Sequence, residues 1–143
     1  MLIRHALGRR LSGGDRPRLT VLQLHRVLST SDPLTNEITV REFEWLLGLL
    51  DRYFNVLSVN QALEMIDQRC LPPRSVTITF DDGYADNFTN AWPLLKKWKM
   101  PATFFVASHY LNGDAMFNDI VLEAVRSSRL SRLDLTGLGI DLV

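Results

Sequence analysis

One segment constrains this chain more than any other: the apolar, β-branched run Ser75-Val-Thr-Ile-Thr-Phe80 leads without a spacer into Asp81-Asp82-Gly83. The run reads as a strand buried in a sheet. Helix signals flank it on both sides, so it is one element of a larger α/β design. Upstream, Thr39 with Glu42 and Ser58 with Gln61 each form a capping box, in which two side chains three residues apart satisfy each other's backbone N–H groups. Behind Thr39, Phe43, Leu46, Leu47, Leu50 and Phe54 recur at helical spacing and predict a helix lying by one face on a sheet. Ala62, Leu63 and Ile66 continue from Ser58 in the same way. Downstream, Phe88, Ala91, Trp92, Leu95 and Trp98 predict a third helix, with Pro93 in a first turn, Lys96, Lys97 and Lys99 towards the C-terminus and Pro101 as its stop. At that spacing Trp92 and Trp98 are assigned to core packing. A fourth helix is predicted over 116–126.

Further strands are predicted over 19–27, as a run buried on both faces, over 55–57 and over 102–107, with a polar loop at 29–37. Strands alternating with helices imply mainly parallel pairing, hence a doubly wound sheet or a β/α barrel. A closed eightfold barrel takes about 250 residues. With 143 residues and about four strand signals, this chain is expected to supply the N-terminal portion of one. The strongly apolar ending, from Leu133 to Val143, agrees with a chain that stops inside a larger fold.

Charge and composition exclude several classes. Lys plus Arg and Asp plus Glu balance at 16 each, so no overall field draws the chain to nucleic acid. The single cysteine, Cys70, makes no internal disulfide and is expected to be a buried, inert thiol. Residues 1–18 are basic and read as a tail, or as a short amphipathic helix through Leu2, Ile3, Leu7 and Leu11. No signal-peptide core follows them, which favours a cytoplasmic location, and no apolar stretch is long enough for a transmembrane segment. Oligomeric state is not encoded.

The chemistry concentrates at Asp81-Asp82-Gly83, because α/β proteins collect ligands at the carboxyl ends of parallel strands. Two adjacent carboxylates there call for a compensating cation or hydrogen-bond donor. Either they form an oxygen-ligand metal site, or they make an Asx-type turn that satisfies backbone donors. A magnesium site for phosphoryl transfer would also need a phosphate-binding glycine loop, which Leu11-Ser-Gly-Gly14 does not provide.

The longer strings Ile78-Thr-Phe-Asp-Asp-Gly-Tyr84 and Pro101-Ala-Thr-Phe-Phe-Val106, with Leu24-His25-Arg26-Val27 and Arg52-Tyr-Phe-Asn-Val56 upstream, resemble the polysaccharide deacetylase (NodB-homology) family. The resemblance implies a distorted β/α barrel over residues 19–143 that stops before the family's metal-binding histidines. It further implies a hydrolase that removes N-acetyl groups from an acetylated polysaccharide or oligosaccharide with a divalent metal, often zinc. By the same resemblance Asp81 matches the general base and Asp82 the acidic metal ligand, whose partners in the family are two later histidines. His25 and Tyr84 are candidates for the sugar pocket or for supporting a ligand. After Asp82 the only histidine is His109, expected on a surface loop, so the ligand set is incomplete and the chain alone is expected to be inactive. The alternative is a non-catalytic glycan-binding or assembly module that keeps half a barrel.

Overall fold

The computed structural model describes residues 18–130. The basic tail and the apolar ending therefore lie outside the described residues. The chain divides into two compact units, Met1–Ser108 and His109–Val143.

In chain order the first unit runs β1 (Leu19–Leu24), β2 (Val27–Leu28), β3 (Ile38–Thr39), α1 (Val40–Tyr53), β4 (Asn55–Val56), α2 (Val59–Asp67), β5 (Ser75–Phe80), a π-helical turn (Asn87–Ala91), α3 (Trp92–Trp98) and β6 (Thr103–Phe104). Every strand pair is parallel among the described residues. β5 is the centre of the larger sheet. β1 runs along one edge in full register, from Leu19 opposite Ser75 to Leu24 opposite Phe80. Beside the other edge, β4 meets the start of β5 and β6 meets its end. β2 and β3 form a separate two-stranded sheet.

Local chemistry sets the helices. Thr39 caps α1 and Ser58 caps α2, each in a complete capping box. In the first, the Thr39 hydroxyl donates to Glu42 Oε2 at 2.6 Å and the Thr39 N–H to the same oxygen at 2.9 Å. Those bonds favour the charged form and hold the exposed Glu42 carboxyl below its ordinary 4.5. On α1, Phe43, Leu47 and Leu50 are buried against the sheet, with Leu46 and Phe54 packed at the margin. Phe80 joins helix to sheet, meeting Phe43 edge-on at 5.7 Å and stacking on Phe104 at 5.0 Å. All six residues of β5 are buried.

Four expectations need correction. β1 ends at Leu24 and is not buried on both faces, Val21 being 55% exposed, because among the described residues only β5 pairs with it. β6 is confined to Thr103–Phe104, the part that finds hydrogen-bonding partners beside β5. Trp92 is not core: the π-helical turn inserts an extra residue per turn and rotates Phe88 and Trp92 outwards, while Asn87, Ala91 and Leu95 take the buried side. Trp98 keeps its place against the core. Cys70 is exposed, since it sits after α2 and the left-handed Arg69 in the turn towards β5. In the second unit α4 (Phe117–Ser127) matches the expected helix, and His109 is exposed as expected. No helix among the described residues is long and apolar enough to cross a membrane.

Opposite faces of α1 give a direct test of the packing. Leu47→Ala, at a fully buried position, should cost roughly 2–5 kcal/mol in urea unfolding. Trp45→Ala, 67% exposed on the same helix, should stay within about 0.5 kcal/mol. Because the Glu42 value is depressed on folding, its contribution is complete at neutral pH and is lost as pH falls through that depressed value. Urea midpoints taken from pH 7 down to pH 3 should therefore fall less steeply for Glu42→Gln than for the parent.

Candidate active site at the carboxylate turn

Phe80 ends β5, and the chain turns at once. Asp81 is still held by the sheet, its N–H donating to Leu24 O at 2.9 Å. Asp82 and Gly83 then take left-handed conformations, φ 72° and 78°. Aspartate tolerates that region better than most residues, and Gly83 N donates back to Asp81 O at 2.9 Å to close the turn. At Gly83 glycine is required twice over: the backbone is left-handed, and a Cβ would lie 2.9 Å from Val106 Cγ1. Past β6, Phe105 N donates to Phe80 O and Ala107 N to Asp82 O, so the following strand's loop fastens the turn from its far side.

Asp81 and Asp82, with Phe105, Val106 and Ala107, line an open pocket of about 470 Å³. Gln23 Nε2, near the end of β1, donates to Asp81 Oδ2 at 2.5 Å. Neither carboxylate accepts a bond from a backbone N–H or pairs with a basic side chain among the described residues. The Asx-type turn, in which these side chains would satisfy backbone donors, is therefore not what the turn uses them for. Tyr84 lies under the Arg26 guanidinium at 4.6 Å and lines a second, apolar pocket of about 370 Å³ with Phe88, Trp92 and Phe104. His25 follows Leu24 directly, at the same end of the sheet as Asp81.

The four residues singled out from sequence, Asp81, Asp82, Tyr84 and His25, thus share one pole, while His109 belongs to the other unit. Sequence reasoning missed Gln23, whose only signal was a polar side chain at the end of an apolar strand. Asp86, Asn87 and Asn90 were missed as well, although they stand close behind the motif in sequence.

As for a metal, the described residues contain no group of three or more His, Cys, Asp or Glu side chains able to hold one. Asp82 offers one carboxylate where a catalytic zinc ordinarily takes three protein ligands, so the residues described do not by themselves fit the ion.

Residues 68–128 match the family model described as polysaccharide deacetylase, and this span contains the whole carboxylate turn. Over that span the chain is similar to the polysaccharide deacetylase family. It is 31% identical over 134 residues to YxkH of Bacillus subtilis, a protein named as a candidate polysaccharide deacetylase, covering 87% of this chain and 47% of that one. Over 67 residues it is 37% identical to the poly-β-1,6-N-acetyl-D-glucosamine N-deacetylase of Staphylococcus aureus, covering 47% of this chain and 22% of the other. The chain therefore spans about half, or less, of the curated relatives it matches. Among solved structures, IcaB from Ammonifex degensii aligns with a TM-score of 0.61 at 32% identity, covering 76% of this chain and 48% of that chain. A de-N-acetylase from Aggregatibacter actinomycetemcomitans aligns equally well, at 25% identity over 76% of this chain and 51% of that one. The parallel β/α architecture is that of these NodB-like barrels, about half of which the chain covers.

Two glycine replacements separate backbone strain from crowding at the turn. Gly83→Ala meets both and should cost roughly 1–3 kcal/mol or more in urea unfolding. Gly113→Ala, with φ 95° and nothing within 4 Å of its Cβ, meets only the first and should cost less. Equal losses would mean that Val106 does not press on the turn.

Proposed function

We propose that this chain carries the Asp-Asp portion of the active site of a metal-dependent carbohydrate deacetylase, which hydrolyses N-acetyl groups on a polysaccharide. The carrying observation is the placement of Asp81 and Asp82 at the carboxyl end of a buried parallel strand, inside the span that matches the deacetylase family. In this reading Asp81 is the general base, taking the proton from the water that attacks the acetamide carbonyl. The Gln23 amide and the sheet bond to Leu24 O hold its carboxylate in place, so little reorientation is needed for the transfer. Asp82 contributes one carboxylate to a divalent ion, zinc by family resemblance, whose other ligands come from outside the described residues. Held by a complete ligand set, such an ion would supply positive charge for the oxyanion and a more acidic water. His25 and Tyr84, at the rim of the same pole, are assigned to sugar contact or to support of a ligand. The naming of the staphylococcal relatives supports a β-1,6-linked N-acetylglucosamine polymer as the first substrate to try.

The two carboxylates should separate in mutagenesis. In protein carried to the relatives' full length, Asp82→Asn, which still tolerates the left-handed backbone, should lose metal by elemental analysis. Asp81→Asn should keep the metal and lose at least about 100-fold in acetate release from N-acetylglucosamine oligomers. Equal metal loss in both variants would overturn the division of roles. The 143-residue chain alone should show no stoichiometric zinc uptake in calorimetry and no steady acetate release.

A further inference from the structure

His25 and Arg26 join β1 to β2, whose first residue is Val27, and neither of the two has a strand partner. The polar groups of His25–Val27 are taken up by the turn of helix just beyond the carboxylates. Asn87 Nδ2 donates to His25 O at 2.8 Å, and Asn90 Nδ2 donates to Val27 O at 2.7 Å. Asp86 receives the Val27 N–H on Oδ1 at 3.1 Å and the Arg26 Nε–H on Oδ2 at 2.8 Å. Glu37 Oε2 accepts the Arg26 N–H at 3.2 Å. Asp86, Asn87 and Asn90 thus supply hydrogen-bond partners to a strap 59 to 63 positions away, and each has the polarity its partner needs: acceptors face N–H groups, donors face carbonyls.

Asp86 is informative for what it does not do. It stands in the first turn of the helical run, with helical dihedrals of φ −69° and ψ −16°, and its side chain makes no bond to that run's backbone N–H groups. Both its oxygens serve the strap. Its side chain is only 12% exposed, so the charge-assisted bond to Arg26 is shielded from water on the carboxylate's side. Asn87 is 4% exposed and leaves Oδ1 without a partner, a cost accepted while its amide donates to His25 O.

We propose that Asp86, Asn87 and Asn90 are positioning residues, which fix the His25–Val27 strap against the carboxylate turn and so set the β1 side of the substrate pocket. The proposal rests on the reading of Asp81 and Asp82 as the reacting pole. Because those carboxylates are carried by β5, loosening the strap leaves the chemical step in place and disturbs substrate contact.

The test uses the full-length protein, with Asp86→Asn as the isosteric variant and Asn90→Ala, which removes the bond to Val27 O, as a second should the first fold poorly. Hydrogen exchange at the Val27 amide should quicken about tenfold or more in Asp86→Asn, and the His25 ring signals should shift in NMR. The KM for N-acetylglucosamine oligomers should rise about tenfold with kcat and zinc stoichiometry retained. Asp86→Glu, which restores both acceptor oxygens, should recover part of the loss. Unchanged Val27 exchange, or a fall in kcat at constant KM with reduced thermal stability, would overturn the proposal, the latter because it marks a role in folding alone. If the parent protein releases no acetate, the deacetylase reading fails by itself, and the exchange and ring signals alone decide the strap.

Discussion

Strand β5 is hydrogen-bonded along both edges and withdrawn from solvent over all six residues, so its last residue is as firmly placed as anything in the fold. Phe80 is stacked on Phe104 and met edge-on by Phe43, which ties β5 to β6 and to α1 at the level where the chain turns. The carboxylate turn inherits that rigidity. Asp81 is anchored through its own N–H, Asp82 through its carbonyl, and Gly83 through the absence of a side chain where Val106 presses in. Two charged residues can be held at a partly exposed edge because the apolar strand beneath them absorbs the cost of ordering the turn.

Legibility in the sequence tracked the range of the forces involved. The capping boxes at Thr39 and Ser58 and the buried face of α1 depend on neighbours three or four residues away, and both were readable. β5 was readable because a short, β-branched run from Ser75 to Phe80, bounded by Pro72-Pro73 and by the acidic turn, is a strand signal. The π-helical turn was not, since Phe88, Ala91, Trp92 and Leu95 keep a helical spacing on paper whether or not one residue is inserted. The exposure of Val21 on β1 and of Cys70 depends on which elements lie alongside them, information a local pattern does not hold. At the site, the motif identified the acidic pair. The residues around it, Gln23 and the Asp86–Asn90 group, make bonds across 58 to 63 positions and carry no local signature.

These long-range bonds set up a division of labour. Just beyond the carboxylates, the chain spends its polar side chains on the backbone of the segment after β1, while its apolar side faces inward through Ala91 and Leu95. The same insertion that turned Trp92 outwards is compatible with this arrangement, because it brings Asn87 onto the buried side, where its amide reaches His25 O. Asp86 and Asn87 sit immediately after Tyr84-Ala85, so the short motif and its anchor form one continuous stretch, from Asp81 to Asn90. Local sequence thereby organises two strand ends at once, those of β5 and β1.

The electrostatics of the pair bear on what the pole accommodates. Adjacent carboxylates facing one pocket repel unless a counter-charge or donor meets them. Asp81 has one neutral amide, Gln23, to offset its charge, and no basic side chain pairs with either carboxylate among the described residues. The nearby cation, Arg26, is engaged with Asp86 and covers Tyr84. The guanidinium is thus stationed on the third acid of the stretch, while the first two face an open pocket. On the proposed reading a divalent cation would answer their charge, and the described residues offer it Asp82 without a group of three ligands.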